Sequence, residues 1–371
     1  MPEPTIGLIL PHDILIRDIM GRLIYLLTTL ALLGNLRATA MSAPDVDAAP
    51  AEGAVDLYER GNIPVVTQNA SNSDGPDFIP NIEVFTVGSD VTPKGAVMIC
   101  PGGAFVFRSM QNEGYDVAHM LNALGWQCFV VNYRISPYTM RESAADLQRA
   151  VRYVRAHAVD YRIDPDAIAL VGFSAGGILN GEVLLNWRGL TNATAIDASY
   201  TPDRLDNVPC EAFAVGMIYS FYGRLSVSMN DVATLRAAGL PPAFYCWGTR
   251  DGFAGQFVRN SDAVEEAGCR VERKILDGYP HGYGTGRSSE VWGDDFDAFL
   301  MSVLAGDGNP DSPVTPDYPG SDASLGMPES GLTERPVTYY DLYGRSVKPG
   351  NIPRGVYIAV DIEGHAAKAI L

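Results

Sequence analysis

The sequence predicts an α/β fold, a doubly wound, mostly parallel sheet with helices on both faces, followed by a small C-terminal β unit. Three observations carry that expectation. From about residue 78, short apolar runs rich in β-branched and aromatic residues alternate with helix-like stretches. Most of those runs are continuously apolar instead of alternating, as strands covered on both faces are. After Leu304 the composition changes abruptly, so whatever follows is built separately.

The strand-like runs, in order, are IEVFTV (82–87), GAVMIC (95–100), WQCFVVNY (126–133), AIALVG (167–172), FAVGMIYS (213–220), AFYCWG (243–248) and VERKIL (271–276). Helical patterns fall between them at about 112–124, 141–158, 175–188, 255–268 and 289–304. This alternation assigns 78–304 to one catalytic-sized α/β domain. Residues 305–333 are dense in Gly, Pro, Ser and Asp with little to bury, which predicts a flexible linker. Residues 334–371 regain strand character, with an aromatic run, a Pro/Gly turn, GVYIAV and a last apolar stretch.

The N-terminus has a different signature. From Met20 the order is Gly-Arg, an apolar run from Leu23 to Leu36, then Arg37 and Ala-Thr-Ala at 38–40. A short basic start, an apolar stretch too short to span a bilayer and a small-x-small site predict a secretory signal over 20–40, cut after Ala40. Residues 1–19 then read as an upstream extension, and 41–77 as an N-terminal leader segment. The formal charge of −17 disfavours nucleic acid and anionic lipid as partners. The five cysteines lack CxxC spacing, which points to neither zinc nor a redox dithiol; Cys100, Cys128 and Cys246 fall in apolar strand runs and are expected to be buried thiols. Neither a metal nor an organic cofactor is called for.

The chemistry is concentrated in LVGFSAGG (170–177). Ser174 follows a strand and opens a helix, and Gly172 and Gly176 supply the small neighbours that a strand–turn–helix elbow needs. A helix N-terminus beside its hydroxyl favours developing negative charge, so Ser174 is the candidate nucleophile. Of the five histidines, His12 precedes the signal, His119 and His157 sit in helical patterns, and His365 lies beyond the linker. That leaves His281, in the glycine-rich loop GYPHGYGTG after the VERKIL run, as the candidate base. Asp251, just past AFYCWG, is preferred as the acid that orients it, with Asp277, four residues before His281, as competitor. The Gly-Gly turn at 102–103 follows GAVMIC, and the backbone N–H groups of Gly103, Ala104 and Ala175 are the candidate oxyanion hole.

Taken together, CPGGAFVFRSMQNEG, VNYRISP, DPDAIALVGFSAGG, GTRDGF and YPHGYG resemble the esterase and lipase branch of the α/β-hydrolases that includes hormone-sensitive-lipase-like enzymes. More narrowly they are similar to bacterial acetyl-esterase and acetyl-xylan-esterase-like proteins. Pro101 stands where many such relatives carry His before the glycines. The resemblance implies an α/β-hydrolase fold and a serine carboxylesterase acting through an acyl-enzyme on short acyl groups, notably acetyl, of plant cell-wall carbohydrate such as xylan. The C-terminal YYDLYGRSV and IPRGVYIAV resemble the sorting tails of type IX secretion, which implies export to the cell surface or medium. Three other readings compete: a broad-specificity carboxylesterase or lipase, a serine peptidase, and a carbohydrate-binding surface protein on an inactive hydrolase scaffold. The polar segment 189–211 makes a poor apolar lid, and no β-rich domain precedes the α/β region to shape a peptide site.

Overall fold

The computed structural model describes residues 52–67, 74–75, 77–186, 193–286 and 288–306, and the strand backbones at 337–340, 346–347, 356–361 and 366–370. The signal segment 20–40, the first residues of the leader and nearly all of the linker lie outside the described residues.

In chain order the elements are β1 (Glu52–Asp56), β2 (Asn81–Phe85), β3 (Ala96–Cys100), a π-helical turn (Met110–Tyr115), α1 (Asp116–Ala123), β4 (Gln127–Asn132), α2 (Met140–Ala156), β5 (Ile168–Phe173), α3 (Ala175–Asn186), α4 (Ala193–Ile196), β6 (Val215–Ile218), the two-residue strands β7 (Gly223–Arg224) and β8 (Val227–Ser228), α5 (Val232–Ala238), β9 (Ala243–Gly248), α6 (Ala254–Glu266), β10 (Val271–Leu276) and α7 (Gly293–Leu304). Eight strands form one sheet in the order β1-β2-β4-β3-β5-β6-β9-β10. The pairs β1/β2 and β2/β4 are antiparallel, and every later pair is parallel.

Burial explains the strand pattern. Every residue of β3, β5 and β9 is buried, which is why those segments are continuously apolar. Toward one rim, β2 alternates, with Ile82 and Val84 inside and Glu83 between them. At the other rim, β10 pairs, among the described residues, only with β9 and is studded with charge: Arg273 reaches Asp262 and Glu265, and Lys274 reaches Asp295. Charged side chains on an edge strand discourage pairing with a foreign chain. The thiols of Cys100, Cys128 and Cys246 are buried within strands, and burial pushes that of Cys246 up to about 12. Beyond the linker, β11 (Val337–Tyr340), β12 (Ser346–Val347), β13 (Val356–Asp361) and β14 (Ala366–Ile370) pair as a separate antiparallel sheet in the order β12-β11-β13-β14.

The domain boundary placed at residue 78 needs correction. Residues 52–56, read as leader, form the rim strand β1, and the segment after it is fastened to α2. Leu57 and Tyr58 are buried, and Arg149 Nε donates to the Leu57 carbonyl at 2.9 Å. Arg134 Nη1 donates to the Pro64 carbonyl at 2.6 Å. Glu142 accepts from the N–H groups of Val66 and Thr67 and from the Thr67 hydroxyl, while also closing the Thr139 capping box that starts α2. Burial alone would raise the Glu142 carboxyl, but these donors hold it below its usual range.

At the centre of this attachment, Arg134 and Asp146 form an ion pair whose side chains are 1% and 0% exposed. Guanidinium Nε and Nη2 and the Arg134 backbone N–H all donate to the Asp146 carboxylate. Removing one partner strands the other charge in the interior. Asp146→Ala is therefore expected to destabilise the domain by about 3–5 kcal/mol, read as a lowered urea midpoint at neutral pH; an unshifted midpoint would show the pair to be dispensable.

Candidate active site

The elbow is a consequence of close packing. β5 ends at Phe173 and α3 begins at Ala175, leaving Ser174 alone at φ +49°, in the left-handed region that L-residues rarely occupy. A Cβ on Gly176 would lie 2.0 Å from the Cys100 carbonyl oxygen, and one on Gly172 would lie 2.5 Å from the Gly176 oxygen. No side chain fits at either position. The Ser174 N–H donates to the Ile218 carbonyl at 3.1 Å, and the Ser220 hydroxyl donates to the Ser174 carbonyl at 2.6 Å. The strained residue is thus gripped on both sides by the end of β6, which is how a costly φ persists.

His281 comes to this hydroxyl from the loop after β10. Its Nε2 lies 2.9 Å from Ser174 Oγ, and its Nδ1 lies 2.6 Å from Asp251 Oδ2. The Asp251 side chain is 0% exposed, and its other oxygen accepts from the Phe253 N–H at 2.8 Å, so the carboxylate cannot rotate freely. A carboxylate acceptor at Nδ1 keeps the proton there and leaves Nε2 with its lone pair toward the serine. The imidazole packs against two rings, with centroids 4.8 Å from Tyr219 and 5.7 Å from Phe253. The loops after β9 and β10 are tied together where the Arg250 N–H donates to the Tyr279 carbonyl.

Asp277, the competitor, is exposed and accepts from the Thr249 hydroxyl at 3.1 Å; it takes no part in the histidine's hydrogen bonds. His119 is exposed on α1, edge-on to Phe85, and His157 is buried with its Nδ1 2.9 Å from Asp160. His12 and His365 lie outside the described residues.

The loop after β3 lies directly against the elbow: a Cβ on Gly102 would be 3.0 Å from that of Ser174. Gly103, Ala104 and Phe105 all have positive φ, at +127°, +53° and +56°. Gly103 must be glycine, since a Cβ there would lie 2.2 Å from the Phe107 carbonyl. In a trans peptide the N–H points opposite the carbonyl, so the carbonyls' partners aim the amides. The Gly102 carbonyl accepts from Ser109, and the Gly103 carbonyl accepts from Val106 and Phe107. That fixes the N–H directions of Gly103 and Ala104. Among the described residues, these two amides and that of Ala175 donate to no protein acceptor. Pro101 takes part through its carbonyl, which accepts from the Tyr133 hydroxyl at 2.6 Å.

Ser174 and His281 open onto a small pocket, open to solvent, walled by Ile178, Phe221, Leu225, Phe253 and Phe257. Two residues near this site were not singled out from sequence. Tyr219, at φ +38°, packs on the imidazole, and its hydroxyl donates to the buried Glu113 at 2.6 Å. A signal for Tyr219 was present, because it stands directly past the C-terminal end of a buried parallel strand, where such sheets gather their ligands.

Comparison with known proteins follows the same lines. Residues 84–234 match a family described as BD-FAE. The chain is similar to the probable carboxylic ester hydrolase LipM of Mycobacterium tuberculosis, 39% identical over 98 residues, which is 26% of this chain and 23% of that protein. It is similar to esterase LipC of the same organism at 31% over 131 residues, covering 35% of this chain and 30% of that one. It is also similar to the acetylxylan esterase of Xylanibacter ruminicola, 36% identical over 92 residues, 24% of this chain and 19% of that one. The chain thus spans less than a third of each of these relatives. In three dimensions it resembles the acetyl ester-xyloside bifunctional hydrolase of Caldicellulosiruptor lactoaceticus, with TM-score 0.54 and 22% identity, covering 71% of this chain and 99% of that one. Apo Thermogutta terrifontis esterase 2 gives 0.51 at 17% identity, covering 71% and 97%. The eight-stranded domain is an α/β-hydrolase fold.

Proposed function

We propose that the protein is a serine carboxylesterase that hydrolyses short-chain acyl esters through an acyl-enzyme. The observation that carries this reading is the unbroken hydrogen-bonded chain from Ser174 Oγ through His281 to the buried Asp251, beside three unengaged backbone amides. Ser174 Oγ attacks the ester carbonyl as His281 Nε2 takes its proton, forming the C–O bond to the serine and moving the carbonyl electrons onto oxygen. The N–H groups of Gly103, Ala104 and Ala175 receive that oxyanion. His281 then protonates the departing alkoxide. Water, deprotonated by the same nitrogen, cleaves the acyl-serine by the reverse of these steps, while Asp251 stabilises the imidazolium throughout.

The esterase names of the relatives support the class of reaction, and the relative named acetylxylan esterase supports acetyl on plant carbohydrate as the substrate. The small pocket supports a short acyl chain, because Phe253 and Phe257 are among the side chains that line it beside Ser174. An inactive carbohydrate-binding scaffold is the alternative, and turnover decides between them. Ser174→Ala is expected to cut hydrolysis of p-nitrophenyl acetate by about 10⁴-fold or more with unchanged thermal unfolding. Asp251→Asn should fall by a comparable factor through the wrong histidine tautomer, whereas Asp277→Asn should stay near the parent rate. Near-parent turnover in Ser174→Ala would remove the nucleophile, and the reverse ranking of the two aspartates would move the acid to Asp277.

Acyl length provides an independent measurement. With the pocket walls fixed, kcat/KM should drop by at least about 100-fold from p-nitrophenyl acetate to the octanoate, each ill-fitting methylene contributing an unfavourable contact. A preference for octanoate would favour a lipase.

We propose also that the enzyme is exported, the signal-like segment 20–40 and the tail 334–371 serving as addresses. Deleting residues 306–371 should leave kcat and KM of the purified enzyme unchanged while retaining the protein in the periplasm of its native host. Normal surface delivery of the shortened chain would exclude the sorting role.

A further inference from the structure

One buried acid beside the site has no step in the chemistry above. Glu113, in the π-helical turn Met110–Tyr115, is 5% exposed, and both its oxygens are engaged. Oε2 accepts from the Gly102 N–H at 2.8 Å, and Oε1 accepts from the Tyr219 hydroxyl at 2.6 Å. The Tyr219 oxygen accepts in turn from the Gly284 N–H at 3.2 Å. These contacts form one chain, Gly102–Glu113–Tyr219–Gly284. It connects the loop that presents the Gly103 and Ala104 amides to the loop that carries His281.

An acid in this position is expensive. Burial pushes the Glu113 carboxyl above its usual range, while the Tyr219 and Gly102 hydrogen bonds and the nearby His281 pull it back. Taking a carboxyl out of water stabilises little by itself, and a methionine of similar volume would fill the same space at lower cost. What the carboxyl supplies is direction. Its two oxygens fix where the Gly102 amide and the Tyr219 ring sit, and Tyr219 is the ring packed on the imidazole. Tyr219 itself is held at φ +38°, with its N–H on the Cys246 carbonyl at 2.6 Å. π-helical turns recur at functional sites, where an extra residue in the turn re-aims a side chain.

We propose that Glu113 is a positioning residue for ester hydrolysis: with Tyr219 it clamps the amide-bearing loop to the histidine loop, so that the Gly103 and Ala104 N–H groups and His281 Nε2 keep one common geometry around Ser174 Oγ. The proposal rests on the serine esterase reading. It acts on the transition state, where the oxyanion and the imidazolium exist together, and leaves ground-state binding nearly untouched.

The test compares Glu113→Met, Glu113→Gln and Tyr219→Phe with the parent enzyme on p-nitrophenyl acetate. Active sites are counted with a fluorophosphonate, so that misfolded material does not enter kcat. Glu113→Met should lose about 100-fold in kcat per site with KM within threefold, the effect of a small misplacement of reacting groups. Its affinity for an alkyl trifluoromethyl ketone, which adds to Ser174 as a tetrahedral oxyanion, should fall by a similar factor. Glu113→Gln still offers Gly102 a carbonyl oxygen and should recover to within about tenfold of the parent. Tyr219→Phe keeps the ring but loses the hydroxyl, and should lose at least about tenfold in kcat, again at constant KM.

Parent-like kcat per site and ketone affinity in Glu113→Met would overturn the proposal. If that variant does not fold, parent-like values in Tyr219→Phe would overturn it equally. A Ser174→Ala control distinguishes the two levels: turnover surviving in that control defeats the esterase reading, whereas an inert control beside an unaffected Glu113→Met defeats only the role of Glu113.

Discussion

The contact on which this site depends is the approach of the α3 backbone at Gly176 to the carbonyl of Cys100, too close for even one methyl group. It presses the first turn of the helix against the end of β3 while β5 runs straight into it, and the chain must reverse within one residue. Ser174 absorbs that reversal, so its hydroxyl stands at the carboxyl edge of the sheet with a helix N-terminus beneath it. The loop after β3 is forced by the same contact to pass beside the serine, and so the amides of Gly103 and Ala104 arrive next to a residue some seventy positions away. Packing at native density transmits such constraints because the interior has no slack to absorb them.

Much of this was legible because it rests on local pattern. The β3, β5 and β9 segments are buried on both faces and read as uninterrupted apolar runs, and the polar or small residues directly after them are those the structure gathers around Ser174. The pair Gly172 and Gly176 flanks a serine at a strand-to-helix junction, a spacing that follows from sterics alone. His281 was reached by elimination among five histidines, and the structure sets its two nitrogens against Ser174 and Asp251. The choice between Asp251 and Asp277 turned on distance along the chain from the histidine, and in space Asp277 bonds Thr249 instead.

What was not legible depends on partners remote in sequence. Glu-Gly-Ala-Val-Asp at β1 has little intrinsic strand character and becomes a strand by pairing with β2. In α2, Glu142, Asp146 and Arg149 are charged, yet all three are buried, because the N-terminal segment lies over Glu142 and Arg149 and Arg134 covers Asp146. Glu113 suffers the same ambiguity: one acid in a helix-like stretch looks exposed unless the Gly102 amide and the Tyr219 hydroxyl are known to converge on it. Polar burial is a property of contacts, and only apolar burial leaves a periodic trace in sequence.

The fastening of residues 57–67 onto α2 sets where the folding unit begins. A chain started at residue 78 would leave β2 as a bare rim with unpaired N–H and carbonyl groups, and one started at 84, where the family match begins, would keep only the last two residues of β2. It would also leave the guanidinium groups of Arg134 and Arg149 facing into the gap left by their carbonyl acceptors. An open, half-apolar strand edge is a template for pairing with other copies, so such a shortened chain would be prone to aggregation. The short leading strand and its strap thus act as a built-in guard for one border of the sheet, and charge guards the other.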